Sequence, residues 1–383
     1  MARVLATGSG VVLDLIRTGR ARTRTDLIEH LGWSRITLAR RLDELLDASI
    51  IVSAGQLDSR GGRPPEEFVV NKDAGLLLSF DIGRSHTRLG LTDLASTVLI
   101  EDEADIGFQD GPTEIFEWAP QVVDYMLAKI GRRRADIHGV GVGVPGPVDA
   151  LTGRLAAPQP DERWQGLALP DLVKHHFPVV CAMDRDVNIM AVAESRLGWP
   201  EYHDLVILKV GLGVSCALVL DGRIYRGSRG GAGDLSHPLR TAGEPRTLEA
   251  EASGAMIRRA LVAKGHRIRT SADIVSLAAS GNTDALHLLA TAGRTIGDAI
   301  VGIVAMLNPE AVVVGGNLAE ADRPFLSEVR AAILGGVPDF ARTGLVVEPA
   351  RLGGKAGVIG ASLIAQDALF EPDRISHLTR SKR

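Results

Sequence analysis

The residues of this chain that are best suited to chemistry lie between Asp184 and Glu194. This stretch places three carboxylates and an asparagine around the start of an otherwise apolar helix, directly after an apolar strand predicted at residues 179–183. A carboxylate at a strand-to-helix junction interacts favourably with the helix dipole and can accept hydrogen bonds from ligand hydroxyl groups. A simple helix cap is the alternative. Asp186 would then accept backbone N–H groups, and Asn188 would be an ordinary polar residue of the first turn.

Three glycine-containing turns follow apolar strands elsewhere in the chain. They read Asp81-Ile-Gly83, Gly211-Leu-Gly213 and Gly315-Gly316. Glycine lets backbone N–H groups come close to phosphate oxygens, so the first two turns could hold phosphates, and the third could admit an adenine ring. Taken alone, the first two patterns are more typical of hairpin turns than of phosphate loops.

The strands and helices that would position these residues occur in the same order twice. In each unit three strands are followed by helical sequence and then by a further apolar strand, which suggests an internal duplication. Two α/β lobes would result, and small ligands bind in clefts of this kind. The predicted elements are strands 76–82, 87–93, 97–104 and 137–144 with helix 113–130, strands 204–210, 215–220, 223–225 and 311–314 with helix 282–307, and a final helix 356–366.

The first seventy residues have a different pattern, with helices predicted at residues 9–17, 26–31 and 34–46 and strands at 50–53 and 67–70. Two short helices joined by a glycine turn and followed by a hairpin are typical of a winged helix-turn-helix that binds DNA. The alternative is a plain three-helix bundle with solvated arginines. The predicted DNA contacts are Ser34, Arg35, Thr37, Arg40 and Arg41 on the third helix, with Arg63 at the wing tip for a minor groove.

Composition places the chain among soluble globular proteins, because 45% of its 383 residues are hydrophobic and 23% are charged. It has no run of 18 uncharged apolar residues and no signal-peptide pattern, so we expect a cytoplasmic protein without a membrane segment. Cys181 and Cys216 are too far apart in sequence to indicate a disulfide framework or a metal site. The first 72 residues hold 11 Lys and Arg against 9 Asp and Glu. DNA binding would therefore depend on where the arginines lie.

The order and spacing of several motifs resemble the ROK family, named for repressors, open reading frames and sugar kinases. The motifs are Gly141-Val-Gly-Val-Pro-Gly-Pro-Val-Asp149, Asp186-Val-Asn188, Gly231-Ala-Gly-Asp-Leu-Ser-His237, Leu248-Glu-Ala-Glu-Ala-Ser-Gly254 and Leu307-Asn-Pro-Glu310, with Thr23-Arg-Thr-Asp26 and Gly61-Gly-Arg-Pro64 similar to the winged helix of the family's regulators. The resemblance implies an α/β two-lobed actin/hexokinase-like body (a ribonuclease H-like duplication) behind an N-terminal winged-helix DNA-binding domain. The implied segments are 1–72 for the DNA-binding domain, 73–184 plus 356–370 for the first lobe, 185–355 for the second lobe and 371–383 for a tail.

The resemblance also implies a sugar site between the lobes. In the family's kinases an aspartate takes the proton from the sugar hydroxyl that attacks ATP, and this residue would be Asp186. Further sugar contacts would come from Arg185, Asp234, His237 and Glu249. Arg185 stands where the family has Asn, and Asp234 where it has Glu. Because arginine binds phosphate and carboxylate groups in bidentate fashion, we hypothesise that the ligand is a sugar phosphate or a sugar acid. Alternatively, Arg185 turns away and pairs with Asp184.

The nucleotide side departs further from the family's kinases. Their pattern Asp-x-Gly-Gly-Thr-Lys is Asp81-Ile-Gly-Arg-Ser-His86 here, so Arg84 replaces a glycine where the backbone would approach phosphate. In the second loop, Gly211-Leu-Gly-Val-Ser-Cys216, Leu212 removes a hydroxyl donor. Each lost donor would cost about 2–4 kcal/mol of transition-state stabilisation, by analogy with oxyanion donors. Arg84 could instead add charge to a bound phosphate, which keeps a kinase as the alternative.

The family's zinc module is missing from the sequence. Its members follow the motif histidine with Cys-x-Cys-Gly-x-x-Gly-Cys, whereas the interval from Thr241 to Thr247 contains no cysteine. A structural zinc ion needs about four nitrogen or sulfur ligands, and His237 alone cannot hold one. We therefore expect no metal.

These features predict a sugar-responsive DNA-binding transcriptional regulator, specifically a repressor. It would bind operator DNA as a homodimer or a tetramer, with half-sites about one helical turn, roughly 34 Å, or a multiple of that apart. The alternative is an ATP-dependent hexose kinase with an appended DNA-binding arm. Only that alternative would require ATP and Mg²⁺ as cofactors.

Overall fold

The computed structural model describes residues 8–56, 66–149, 152–155, 161–235, 238–239 and 246–375. Its first elements are α1 (Ser9–Arg17), α2 (Arg24–Leu31), α3 (Arg35–Asp47), β1 (Ile51–Gln56) and β2 (Glu66–Val70). Capping residues set the limits of α2 and α3. Thr23 and Asp26 form a capping box at the start of α2, and Gly32 ends it in the left-handed conformation. Ser34 caps α3 by accepting the backbone N–H of Thr37.

β1 and β2 pair as an antiparallel hairpin behind these helices. The winged helix-turn-helix predicted from the sequence is therefore confirmed. The hairpin tip at residues 57–65, which includes the predicted DNA contact Arg63, lies outside the described residues.

The first lobe of the body is built on a five-stranded sheet. Its elements are β3 (Leu76–Ile82), β4 (Thr87–Asp93), β5 (Val98–Ala104), α4 (Pro112–Lys129), β6 (Ile137–Val144), α5 (Leu169–His176) and β7 (Val180–Arg185). The strand order is β5-β4-β3-β6-β7, in which β3, β4 and β5 form an antiparallel meander while β6 and β7 run parallel to β3. The apolar face of α4 covers the sheet, where the rings of Phe80 and Phe116 lie 5.8 Å apart.

A second lobe repeats this arrangement after the connecting helix α6 (Asp186–Ala193). Its elements are β8 (Leu205–Val210), β9 (Val214–Leu220), β10 (Arg223–Tyr225), β11 (Pro238–Leu239), β12 (Arg246–Thr247), α7 (Leu248–Ala252), α8 (Gly254–Ala263), α9 (Ser271–Ala279), α10 (Thr283–Leu307), β13 (Ala311–Gly315), α11 (Ser327–Gly336), α12 (Asp339–Arg342) and β14 (Val346–Pro349). The second sheet has the order β10-β9-β8-β13-β14, and each of its strands corresponds to the strand at the same place in the first sheet. The predicted duplication and the two-lobed α/β fold are confirmed.

Helix α10 is long and apolar enough, by composition alone, to cross a bilayer. It packs here against α11 and α7 as the central helix of the second lobe. Its buried side includes Leu289, Ile296 and Ile300. Gly297 allows α11 to come close, because an added Cβ would lie 2.6 Å from the Cβ of Ala332.

The last helix, α13 (Ala356–Leu369), packs against α6 and against the strands β3, β6 and β7 of the first sheet. Glycine makes both close approaches possible. A Cβ on Gly360 would lie 1.8 Å from the carbonyl oxygen of Ile189 in α6, and one on Gly141 would lie 1.8 Å from that of Ala361. α13 is thus held directly against the helix that begins at Asp186.

Residues 371–375, which the sequence analysis assigned to a tail, are part of the folded structure. Phe370 and Ile375 are buried in one apolar cluster with Val12 and Ile16 of α1. The backbone also comes close, since a Cβ on Gly10 would lie 2.1 Å from the carbonyl oxygen of Pro372. The prediction of a tail beginning at 371 is corrected, because this segment covers the apolar side of α1.

Candidate functional site

A cavity of about 310 Å³ lies between the two lobes. Most of the predicted ligand loops meet there. The predicted residues that line it are Asp81, Gly83, Arg185, Asp186, Gly211, Gly213 and Gly316. Gly315 lies directly behind this lining, where the methyl group of Met190 is only 2.2 Å from the position that a Cβ would take. The glycine turns therefore do converge on one cleft, as the duplicated fold requires.

Asp184 has a structural role beside this cleft. One carboxylate oxygen accepts the backbone N–H of Arg185 at 2.8 Å and the side-chain amide of Asn188 at 2.6 Å, and the other accepts Nε of Arg226 at 2.7 Å. Arg185 does not pair with it. Arg185 as a whole residue is only 5% exposed, and its guanidinium donates instead to the carbonyl oxygen of Ala232 at 2.7 Å. The alternative in which Arg185 turns away to Asp184 is wrong.

Asp186 opens α6 and faces the cleft. One of its oxygens accepts the backbone N–H of Val187 at 2.8 Å, and the other lies 3.0 Å from Nζ of Lys209 on β8. The same ammonium lies 3.7 Å from Asp81 on the first lobe. Arg185 occupies the N-cap position of α6 and no side chain caps this helix, so the hydrogen bond from Val187 is not a helix cap. The other oxygen of Asp186 faces the cleft, as the ligand-site interpretation expects.

Lys209 is the main cleft residue that the sequence analysis missed. Burial alone would lower the pKa of Lys209, but the charges of Asp186 and Asp81 overcome that effect and raise it. The ammonium group is therefore permanently charged. The carboxylate of Asp186 is therefore engaged in an ion pair on the side that faces the cleft. The signal was visible in the sequence as the single charged residue in the apolar strand at 205–210.

Arg84 crosses the cleft between the two glycine turns. Its guanidinium forms two hydrogen bonds, of 2.5 and 2.7 Å, with the carboxylate of Glu249 in α7. It also lies over Gly213, where an added Cβ would be 3.0 Å from the guanidinium carbon. Arg84 therefore lies between the two glycine turns and engages a carboxylate that was predicted to bind sugar.

The other two predicted sugar contacts lie on the loop that follows β10. Asp234 is exposed and does not line the cavity, although the carbonyl of Ala232 in the same loop holds Arg185. His237 lies outside the described residues. The structure thus brings Arg185 and Asp186 together in the cleft and places Glu249 at its edge.

The exposed side of α3 carries the predicted DNA contacts Ser34, Arg35 and Arg40, and Thr37 is half-buried beside them. Arg41 is different. Its side chain is 15% exposed and donates to both oxygens of the buried Glu44, at 2.9 and 3.2 Å. Glu44 also accepts the hydroxyl of Ser9 in α1. Arg41 therefore forms an ion pair within α3, with a glutamate that is also bonded to α1, and its assignment as a DNA contact is corrected.

One carboxylate connects the winged helix to the body of the protein. The carboxylate of Asp367 in α13 accepts a hydrogen bond of 2.5 Å from Arg17 of α1. It also accepts two hydrogen bonds, of 2.7 and 3.2 Å, from Arg196. Arg196 belongs to the π-helical turn Glu194–Gly198 that continues α6. Burial would raise the pKa of Asp367, but Arg196 and Arg17 overcome it, and the pKa is lowered. The helix that starts at Asp186 therefore ends in an ion pair shared with the DNA-binding unit.

A two-lobed α/β body with a glycine-lined cleft, joined to a winged helix, defines a class of DNA-binding proteins built on a sugar-kinase fold. The chain belongs to the ROK family, whose model matches residues 77–368. The xylose repressor of Caldicellulosiruptor bescii is 24% identical over 387 residues, covering 95% of this chain and 96% of the relative.

Two solved structures have the same fold. A ROK family transcriptional regulator, a homologue of the E. coli MLC protein, superposes with a TM-score of 0.79 at 22% identity, covering 99% of this chain and 100% of that one. A ROK family glucokinase from Streptomyces griseus, solved with glucose and AMPPNP, has a TM-score of 0.64 at 22% identity and covers 76% of this chain and 100% of that one.

Proposed function

We propose that this chain is a sugar-responsive DNA-binding transcriptional regulator and that it acts as a repressor in the cytoplasm. One observation carries the proposal: a recognition helix that exposes Arg35 and Arg40 in its first half is joined to a sugar-kinase-like cleft that holds Arg84 and Lys209. The likeness to a xylose repressor over nearly the whole chain supports it. The glucokinase, in contrast, covers only 76% of the chain.

An ATP-dependent hexose kinase is the alternative, because Asp186 lines the cleft. The ammonium of Lys209 lies 3.0 Å from this carboxylate, and the guanidinium of Arg84 lies over the second glycine turn. Both features oppose phosphoryl transfer. In a coupled ADP-release assay over a panel of hexoses and pentoses, we expect turnover below about 1 s⁻¹, the low end for kinases. Faster turnover with any sugar would overturn the regulator proposal.

The ion pairs of Asp367 offer a physical route from sugar to DNA. A sugar that draws the lobes together would shift α6, and the shift would reach α1 through Arg196, Asp367 and Arg17. The sugar can move this equilibrium only by its differential affinity for the two lobe arrangements. We further propose that a homodimer presents two winged helices to half-sites about one helical turn apart or a multiple of it.

Arg185 makes an anionic ligand the favoured class. Its guanidinium lines the cleft and, within the described part of the chain, bonds a carbonyl and no carboxylate. A buried cation of this kind gains most from a phosphate or carboxylate partner. Calorimetric titration with matched neutral and phosphorylated sugars tests this, and Arg185→Met should remove any preference for the anion. A neutral sugar that binds tightly while its phosphate does not bind would contradict the assignment.

Two neighbouring arginines provide the test of DNA binding. The probe is duplex DNA enriched from a random pool by the purified full-length protein. Arg40→Ala should weaken binding and lower the slope of log K against log salt by about one, because an exposed phosphate contact is lost. Arg41→Ala should leave that slope unchanged, because Arg41 pairs with Glu44. If both variants bind DNA alike, α3 is not the helix that contacts DNA. If no DNA is enriched, the proposed function is wrong.

A further inference from the structure

The outward side of the recognition helix carries an apolar residue that no electrostatic role explains. Ile36, in the first turn of α3, is 84% exposed. In the described ranges the other large hydrophobic side chains exposed to this extent are Met306 and Phe340, both in the second lobe. Ile36 follows Arg35 directly and lies one helical turn before Arg40, so it is surrounded by exposed guanidinium groups.

The charge along this side of α3 changes from one end to the other. Ile36 and Arg40 occupy its first half, whereas the exposed Asp43 and Asp47 occupy its second half. DNA phosphates attract the first half and repel the second. In a complex with DNA, this charge distribution would direct the N-terminal end of the helix into the major groove, where residues of a recognition helix contact base edges.

A base edge in the major groove offers one apolar group, the C5-methyl of thymine, and apolar side chains distinguish thymine by contact with it. Ile36 is the large apolar side chain that α3 presents there. We propose that Ile36 is a specificity-determining residue that contacts a thymine methyl in each half-site. This inference rests on the proposed function, since it requires that the chain bind DNA through α3.

The contribution of this contact to DNA affinity can be calculated from the burial of one methyl group. Burying one methyl group stabilises a complex by about 0.8 kcal/mol, which corresponds to about fourfold in affinity. Because the extent to which Ile36 covers the methyl group sets the gain, we expect removal of the methyl to weaken DNA binding about three- to tenfold. Neither figure depends on salt, because no charge changes.

The experiment replaces thymine by uracil, which removes the C5-methyl and keeps the hydrogen-bonding pattern. DNA enriched from a random pool by the full-length protein is substituted at one thymine pair at a time. With the unchanged protein, we expect uracil at one position per half-site to weaken binding three- to tenfold. With Ile36→Ala, the same substitution should have no effect. Met306→Ala, which removes an equally exposed side chain far from α3, should keep the thymine preference.

The outcomes separate the inference from the proposed function. Failure to enrich any DNA refutes the regulator itself. Enriched DNA whose affinity responds to uracil equally in the unchanged protein and in Ile36→Ala refutes the contact of Ile36 with thymine. A partial loss of folded protein does not confound the comparison, because each protein serves as its own reference between thymine and uracil. Circular dichroism checks that the Ile36→Ala protein is folded.

Discussion

Replacing Asp367 by Asn should loosen the attachment of the DNA-binding unit to the body. The change keeps the shape of the side chain but removes the charge that Arg17 and Arg196 share. An exposed pair contributes about 0.2–1 kcal/mol, and a hydrogen bond to a charged group contributes about 1.5–3 kcal/mol when protected from water. Asp367 is 33% exposed but Arg17 only 12%. We therefore expect the free energy of unfolding to fall by about 2 kcal/mol.

A matched pair elsewhere in the chain supplies the control. Asp124 accepts Arg134 at 2.5 and 2.7 Å on the first lobe, but both side chains are exposed. Asp124→Asn should therefore cost less than about 1 kcal/mol in urea denaturation. Only Asp367→Asn should also weaken the effect of sugar on DNA binding. Equal losses in the two variants, with sugar response intact in both, would refute the reasoning.

The pH dependence gives Asp367 a second signature. Its pKa is lowered in the folded protein, so its contribution to stability is present above the ordinary aspartate pKa of 3.8 and is lost as pH falls through the folded value. The difference in stability between the unchanged protein and Asp367→Asn should accordingly shrink below pH 3.8.

Three further predictions test the cleft and the helix packing. Arg84→Ala should raise sugar affinity about two- to fivefold in calorimetry, because Glu249 is released from a half-exposed ion pair, whereas weaker binding would show that Arg84 itself touches the ligand. Burial raises the pKa of Glu194 above its ordinary value of 4.5. Its contribution to stability is therefore present below pH 4.5 and is lost as pH rises through the pKa of the folded protein. Over that interval the free energy of unfolding of the unchanged protein should fall relative to that of Glu194→Gln. Gly360→Ala should lower the free energy of unfolding by several kcal/mol, about 3 or more, because of its clash with α6, while Gly335→Ala, in open space, should be neutral or stabilising in the same thermal melts.

Most of the fold could be predicted because local sequence determines it. Strand β3 was expected at residues 76–82 and is found there, since apolar residues end abruptly at the glycine turn beginning with Gly83. The start of α6 at Asp186 was similarly expected from the polar cluster that precedes an apolar run. Repetition of the unit then indicated the cleft.

The pairing of charges could not be predicted in the same way. Arg84 and Glu249 are 165 positions apart, and no local pattern shows that one reaches the other. Arg41 and Arg40 are adjacent and chemically identical, yet only the angle around α3 turns Arg41 towards the buried Glu44. Sequence shows the types of these residues, whereas their roles depend on which partner the fold brings within reach.

The apolar cluster that joins α1 to the end of the chain limits how this protein can be recombined. Val12 and Ile16 share one core with Phe370 and Ile375, although more than 350 positions separate the two segments. A chimaera cut at residue 72 would expose both halves of that core to water. Exchanging the DNA reader between relatives would therefore require exchanging the C-terminal segment with it, so the two ends of the chain should change together during evolution.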